Sequence, residues 1–391
     1  MADNSSTRLS EALLSAALSK SPSQGYTHTF YQYPARFSPL FARAAISTFT
    51  KPGDVILDPF MGSGTTLVEA LIAGRHGIGT DINSLAYFLT QVKTTILTYD
   101  DCEMIRRWFE EIQPRLLLKQ PALHHNDANS EKYQRGIPWP IRKTIALILS
   151  ELEHLPTVEQ RRLVRCALLQ TSQWALDCTV KFPSASSFRM KLIDILQDCL
   201  KGLLEMSEAV EDLLDGQNPQ TVCLNVPAME LYPALWETKI HRKPNLVVTS
   251  PPYPSVHVLY HRWQIKSRRE IAAPYWIAGE LDGRGSSYYT MGSRTPTGLN
   301  NYFRSIESSF SQIHSLLAED AIVVQLIAFS DFKEQLPRYL EAMEYAGYQE
   351  YGHAIESDRI WRQVPLRRWY ATYKGNTSSS HEVLLVHRRF P

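Results

Sequence analysis

Paired cysteines are missing from this sequence. The five present, Cys102, Cys166, Cys178, Cys199 and Cys223, are odd in number, and no two stand in a Cys-x-x-Cys pair. That argues against a disulfide framework and a Cys-based zinc site, and leaves buried free thiols as the expectation. The twelve histidines show no His-Glu-x-x-His and no metal-ligand spacing beside cysteines, so no metal is expected. Long apolar runs are missing as well: none reaches the ~18–20 residues of a membrane helix. The opening Met1-Ala-Asp-Asn-Ser-Ser6 has neither the basic nor the apolar region of a secretory leader. A soluble cytoplasmic protein is expected, with no membrane partner. Excess charge is also absent, with 41 Lys+Arg against 40 Asp+Glu. A uniformly basic nucleic-acid binder is excluded by this balance, a local basic face is not. Hydrophobic residues at 44% and charged residues at 21% exclude a disordered, collagen-like or coiled-coil chain. The 391 residues allow two or three domains, or one large domain with an insertion.

What is present begins with a short amphipathic stretch, Leu9, Leu13, Leu14, Ala17 and Leu18, and an aromatic segment from Tyr26 to Phe37. The rhythm then changes. Asp54-Val-Ile-Leu-Asp58 reads as a buried parallel strand, followed by a Gly-rich turn and a helix from Thr65 to Ala73. Gly77-Ile-Gly-Thr-Asp81 is a second strand, and Ser84 to Thr95 a second helix. Strand, turn, helix, strand, helix within one short span is the βαβ signature of an α/β, doubly wound sheet. Residues 100–216 differ. They carry helical periodicities, such as Ile105, Trp108, Phe109 and Ile112, with almost no strand-like alternation. They read as an all-helical insertion with 15 Lys+Arg and 18 Asp+Glu. Strands resume at Thr221–Leu224, Asn245–Thr249 and Ala321–Ile327, with helices at about 302–317 and 332–346 and a closing strand at Glu382–His387. Residues 254–300 read as a polar, Gly-rich, basic stretch.

Three places can carry chemistry. Asp58-Pro-Phe-Met-Gly-Ser-Gly-Thr-Thr66 is a Gly-rich strand-to-helix turn, where a ligand approaches the backbone and free N–H groups closely. It lacks the Lys-Ser/Thr ending of a P-loop and the Gly order of a dinucleotide site. A purely structural turn is the other reading. Asp81 ends the next strand, where a carboxylate accepts hydrogen bonds from ribose hydroxyls; it could equally cap the helix starting near Ser84. Thr249-Ser-Pro-Pro-Tyr-Pro254 follows an apolar strand. Its two prolines remove two donors and leave carbonyls as acceptors, flanked by a hydroxyl and a ring. That turn suits a planar, amine-bearing ring, and an ordinary Pro-Pro loop is the bland alternative.

Taken together, Asp-Pro-Phe-Met-Gly-Ser-Gly-Thr-Thr, Gly-Thr-Asp-Ile-Asn and Thr-Ser-Pro-Pro-Tyr resemble the S-adenosylmethionine-dependent DNA amino-methyltransferases, and Tyr33-Pro-Ala-Arg-Phe37 resembles their N-terminal cofactor motif. The Ser-Pro-Pro-Tyr form is typical of members that methylate cytosine N4. The likeness covers roughly 26–95 and 219–391 and implies a Rossmann-like methyltransferase sheet. It further implies that Asp58, Pro59, Phe60, Gly62, Ser63, Gly64, Thr65 and Thr66 hold the cofactor, and that Tyr33, Ala35, Arg36 and Phe37 close over its methionine end. Asp81 takes the ribose, Ile82 and Asn83 flank the adenine, and Asn225 stands where the family often has an acid near the adenine amine; an amide carbonyl can still accept there. Ser250, Pro251, Pro252 and Tyr253 would hold a flipped base.

The implied partner is double-stranded DNA, with a cognate restriction endonuclease or defence-system protein beside it. Residues 254–304 hold seven Lys+Arg against three acids, and 353–391 seven against three. His257, Arg262, Arg268, Arg269, Arg359, Arg362, Arg367 and Arg368 are the expected DNA contacts; a solvated hairpin is the alternative. The expected domains are an N-terminal arm at 1–50, a catalytic domain at 51–99 and 217–391, and the helical block at 100–216, for recognition or partner docking. Adenine-N6 transfer, RNA base-amine transfer and a non-catalytic cofactor-sensing DNA-binding subunit stay open as rival readings.

Overall fold

The short apolar runs Val55–Asp58 and Leu246–Thr249 become strands, because each is too short for a helix and is buried along its whole length. The computed structural model describes residues 10–19, 21, 24–32, 37–119, 131–213, 218–254, 262–266, 269–280, 289–293, 295–351, 359–363 and 381–390. The chain opens with α1 (Glu11–Leu18) and α2 (Pro39–Phe49), then β1 (Val55–Asp58), α3 (Thr65–Ile72), β2 (His76–Thr80) and α4 (Ser84–Thr94). The helical block follows as α5 (Tyr99–Ile112), α6 (Glu131–Gln134), α7 (Trp139–Glu151), α8 (Val158–Leu176) and α9 (Ala185–Glu211). Next come β3 (Thr221–Leu224), β4 (Leu246–Thr249), β5 (Trp263–Ile265), β6 (Arg269–Ile271), α10 (Ala273–Ala278) and α11 (Pro296–Leu316). The remainder is β7 (Ile322–Ala328), α12 (Phe332–Tyr345), β8 (Tyr348–Glu350), β9 (Trp361–Gln363) and β10 (His381–Arg389).

The main sheet has the order β3-β2-β1-β4-β7-β10-β8, with β9 also on β10. From β3 to β7 all pairings are parallel; β10 runs antiparallel to its neighbours. This is the doubly wound α/β sheet expected, and strand direction of succession reverses between β1 and β4, its switch point.

Alternate residues sort to opposite faces. Val55 and Leu57 of β1, with Val323 and Ile327 of β7, join the core under α11 and α12. Ile56, Val324 and Leu326 join the core under α1 and α2. A third core unites α3, α4 and the helical block through Val68, Leu85, Phe88, Ile105, Ile145, Leu168 and Leu196.

Three expectations need correction. The stretch 254–300 is not simply polar loop: Trp263, Ile265, Ile271 and Tyr275, on β5, β6 and α10, are buried in the helical block's core. Aromatic and β-branched residues were present there, but too sparsely spaced to give a period. Helix α11 begins at Pro296, well before 302, because Thr295 caps it and proline is favoured in the first turn. Of the thiols, Cys102, Cys166 and Cys199 are buried, but Cys178 is exposed, against the expectation of buried thiols.

Candidate active site

β1 and β4 are parallel neighbours, so their carboxyl ends, Asp58 and Thr249, emerge side by side at the switch point. Asp58 is 1% exposed and joins the two turns. Thr249 Oγ1 donates to its Oδ1 at 2.7 Å, Thr66 Oγ1 donates to Oδ2 at 2.7 Å, and the Phe60 N–H donates at 3.2 Å. Burial pushes the Asp58 carboxyl up to about 6, against the three hydrogen bonds that favour its ionised form.

The glycine turn is pinned from behind by α4. Thr90 Oγ1 donates to the Gly62 carbonyl at 3.1 Å and Lys93 Nζ to the Ser63 carbonyl at 3.0 Å. Gly64 needs to be glycine twice over: its φ is +77°, and a Cβ there would lie 2.7 Å from Thr90 Cγ2. Its position caps α3 without a side-chain hydrogen bond, so the first-turn N–H groups of α3 lack a side-chain acceptor. Ser63 Oγ is buried with no partner among the described residues. An incoming carboxylate or hydroxyl would satisfy both deficits, which fits the methionine end of the cofactor. Phe60 lies half-buried, its ring 6.4 Å from that of Phe310, Pro59 and Thr65 are buried around the turn, and Phe37 is buried against Phe41.

Asp81 follows β2. It is not the cap of α4, a role taken by Asn83, whose Oδ1 accepts from the Leu85 N–H at 2.9 Å. Instead Asp81 accepts from the Gly62 N–H at 3.0 Å and the Asn83 N–H at 2.8 Å, one on each oxygen. Each oxygen keeps a lone pair, as two ribose hydroxyls require, and burial pushes this carboxyl up to about 6. Asn225 donates from Nδ2 to the Asp81 carbonyl at 2.7 Å, which leaves Oδ1 as its acceptor. Ile82 is half-buried beside them. Asn83 is buried; Tyr275 of α10 donates to its Oδ1 at 3.1 Å, and its Nδ2 has no partner among the described residues.

At the proline turn, Tyr302 on α11 donates to the Pro252 carbonyl at 2.9 Å. The Ser250 and Pro251 carbonyls accept no hydrogen bond among the described residues. Ser250 is half-buried, and Tyr253, 8% exposed, donates its hydroxyl to Glu382. The structure thus brings Asp58, the glycine turn, Asp81 and Ser250 to one edge of the sheet.

The expected DNA contacts fare differently. Tyr33, Ala35, Arg36, His257, Arg268, Arg367 and Arg368 lie outside the described residues. Arg269 is on β6, and Arg262 is half-buried just before β5. Arg362 must be corrected. It is 7% exposed and pairs with Glu382, its cross-strand neighbour in the β9–β10 ladder, so it is no phosphate contact. Arg359 is likewise engaged, donating to both oxygens of Glu350 at 2.9 and 2.7 Å. A charge count along the chain is blind to such cross-strand pairing. Sequence reasoning also missed Thr90, Lys93, Tyr302 and Glu382. Lys93 carried one signal: a charged residue directly after the apolar face of α4 is buried only with a partner. Among the described residues no three His, Cys, Asp or Glu side chains gather as a metal site, and no helix is long and apolar enough to cross a membrane.

The motifs that build this site also match known proteins in sequence. A model of the N6/N4 DNA methylase family matches residues 13–91, the span from α1 through the glycine turn and Asp81 to α4. The type II methyltransferase M.MvaI of Kocuria varians is 44% identical over 72 residues, 18% of this chain and 16% of its own. M.MjaII of Methanocaldococcus jannaschii is 36% identical over 76 residues, 19% and 14% of the two chains. M.BsoBI of Geobacillus stearothermophilus is 24% identical over 259 residues, 58% and 49%. The chain therefore spans less than half the length of these relatives. Among solved structures, the rRNA methyltransferase aviRa of Streptomyces viridochromogenes gives a TM-score of 0.34 at 10% identity, covering 97% of this chain and 94% of that one. Over residues 13–91, which carry the glycine turn and Asp81, the chain is thus similar to the N6/N4 DNA methylase family and to type II methyltransferases.

Proposed function

We propose that this protein is a DNA methyltransferase that methylates the exocyclic N4 amine of a cytosine flipped out of double-stranded DNA. The observation that carries the reading is Asp58, whose carboxylate ties Thr66 of the glycine turn to Thr249 of the proline turn. Cofactor pocket and base pocket are thereby held at one switch point. S-adenosylmethionine supplies an electrophilic methyl group when bound there. The chain does the rest by positioning. Asp81 and Asn225 orient the nucleoside end, and the uncapped start of α3 faces the carboxylate end. The carbonyls at Ser250 and Pro251, which accept no hydrogen bond among the described residues, offer with Ser250 Oγ acceptors for both N–H bonds of the target amine. Accepting both favours a pyramidal nitrogen with a localised lone pair. The localised lone pair would then be presented to the methyl group that bound S-adenosylmethionine would supply, and the proton released from nitrogen would pass from the same acceptors to solvent. Orientation and preorganised polarity supply the rate, so no covalent nucleophile is needed. We place this activity in restriction–modification or phage defence, since relatives are named type II methyltransferases, with a cognate endonuclease or defence-system protein as the proposed partner.

The test is methyl transfer from labelled cofactor to duplex DNA, followed by nucleoside mass analysis. N4-methylcytosine is the expected product. N6-methyladenine would move the specificity to adenine, preference for RNA would move the substrate, and cofactor binding without transfer to any nucleic acid would remove the enzyme reading.

A further inference from the structure

The proline turn is held by a buried network that the chemistry above leaves unused. The side chains of Glu382, on β10, and Arg362, on β9, are both buried and face each other across the ladder. Arg362 donates from Nε at 2.5 Å to Oε2 of Glu382, and from Nη1 to the Ala17 carbonyl at 3.4 Å. The other oxygen, Oε1, accepts the Tyr253 hydroxyl, and Ser250 Oγ donates to the Tyr253 oxygen at 3.4 Å. Glu382 pairs in register with Ala328, the last residue of β7, and so lies at the same edge of the sheet as Ser250.

Hydroxyls donate once. With its proton committed to a carboxylate, Tyr253 can only accept from Ser250. With its own proton committed to Tyr253, Ser250 turns its lone pairs outward. We infer that Glu382, anchored by Arg362, is a positioning residue that sets the direction of the chain Ser250 to Tyr253 to Glu382 and so makes Ser250 Oγ an acceptor for the target amine. Glu382 acts by orientation and never touches the base. A purely structural ion pair would serve the β9–β10 ladder equally well with phenylalanine at 253; the hydroxyl is the part that ladder pairing leaves unexplained. The inference rests on the amino-methyltransferase reading.

The experiment compares wild type, Tyr253→Phe, Glu382→Gln and the double variant, each measured for kcat, cofactor Kd and thermal unfolding. Tyr253→Phe keeps ring and ion pair and is expected to lower kcat about tenfold, the scale of one hydrogen bond to a charged group. Cofactor Kd and unfolding temperature should stay within twofold and within measurement scatter, respectively. Adding Glu382→Gln to Tyr253→Phe should lower kcat no further. Should Glu382→Gln fail to fold, Arg362→Lys, which loosens the anchor of Glu382 and keeps its counter-charge, takes its place in the Tyr253→Phe background, with the same absence of further loss expected. Full kcat in Tyr253→Phe, or losses that multiply in the double variants, would overturn the inference while leaving the enzyme reading intact. A wild type that binds cofactor and transfers no methyl group overturns both.

Discussion

Asp58 shows why a residue can be legible by type and not by role. The motif put it beside the cofactor, yet its oxygens are taken up by Thr66, Thr249 and the Phe60 N–H. The bond to Thr249 spans 191 positions in sequence, so no local pattern announces it. Asp58→Asn replaces one acceptor by a donor facing a threonine hydroxyl, at a cost of about 1–3 kcal/mol. We expect a lower unfolding temperature and a larger loss in methyl transfer than in cofactor affinity, because the proline turn is what loosens; calorimetry and kinetics on one preparation check this. Asp81 answers a different question. Its role was readable as one of two, and the cap at Asn83 removes the other. Burial raises its carboxyl from 3.8 to about 6, so it takes up a proton as the pH falls through 6 and loses acceptors for the ribose. Cofactor Kd is expected to rise up to about tenfold per pH unit below 6, a slope that titrations at pH 7.5, 6 and 5 would reveal and that Asp81→Asn should flatten.

At the level of elements, the short parallel strands and the helices of the block were readable because period and burial agree there. The C-terminal strands were readable as strands but not as partners. β10 pairs with β7, β8 and β9 at once, and those pairings decide that Arg362 and Arg359 meet carboxylates. The same strand buries His387, with neither ring nitrogen partnered among the described residues. Desolvation lowers its pKa from 6.5 to about 4, with Glu350 opposing and Arg359 assisting. Between those values the unfolded chain binds a proton that the folded strand refuses, so stability is lost as the pH falls from 6.5 to 4. The shift is worth about 3 kcal/mol. His387→Leu is therefore expected to gain on wild type by roughly that amount over the same window. A stability difference that stays constant from pH 7 to pH 4 would exclude His387 as the titrating group.

For the whole molecule, near-zero charge first suggested unlike parts that cancel: an acidic block against two basic stretches. The cores qualify this division. The helical block does not stand apart from the sheet; α8 and α9 share one apolar core with Val68 and Leu71 of α3 and with Leu85, Phe88 and Leu89 of α4. Strands β5 and β6 and helix α10 close the same core through Trp263, Ile265, Ile271 and Ile277, and Tyr275 reaches from it to Asn83 beside Asp81. Sequence could mark the change of rhythm at 100 but not this continuity, because contacts between α3 and α9 link residues more than a hundred positions apart. The two views predict different results for a chain in which 99–213 is replaced by a short flexible linker. An autonomous recognition module would leave a folded, cofactor-binding remainder. A shared core would leave α3, α4, Trp263 and Tyr275 uncovered, removing several fully buried side chains from their packing at about 1.5–3 kcal/mol each, more than the usual net stability of a domain. We expect the second outcome: aggregation or loss of cooperative unfolding, together with loss of cofactor binding, since α4 also pins Gly62 and Ser63. A single cooperative calorimetric transition in the shortened chain, with cofactor affinity intact, would instead make the block a separable appendage.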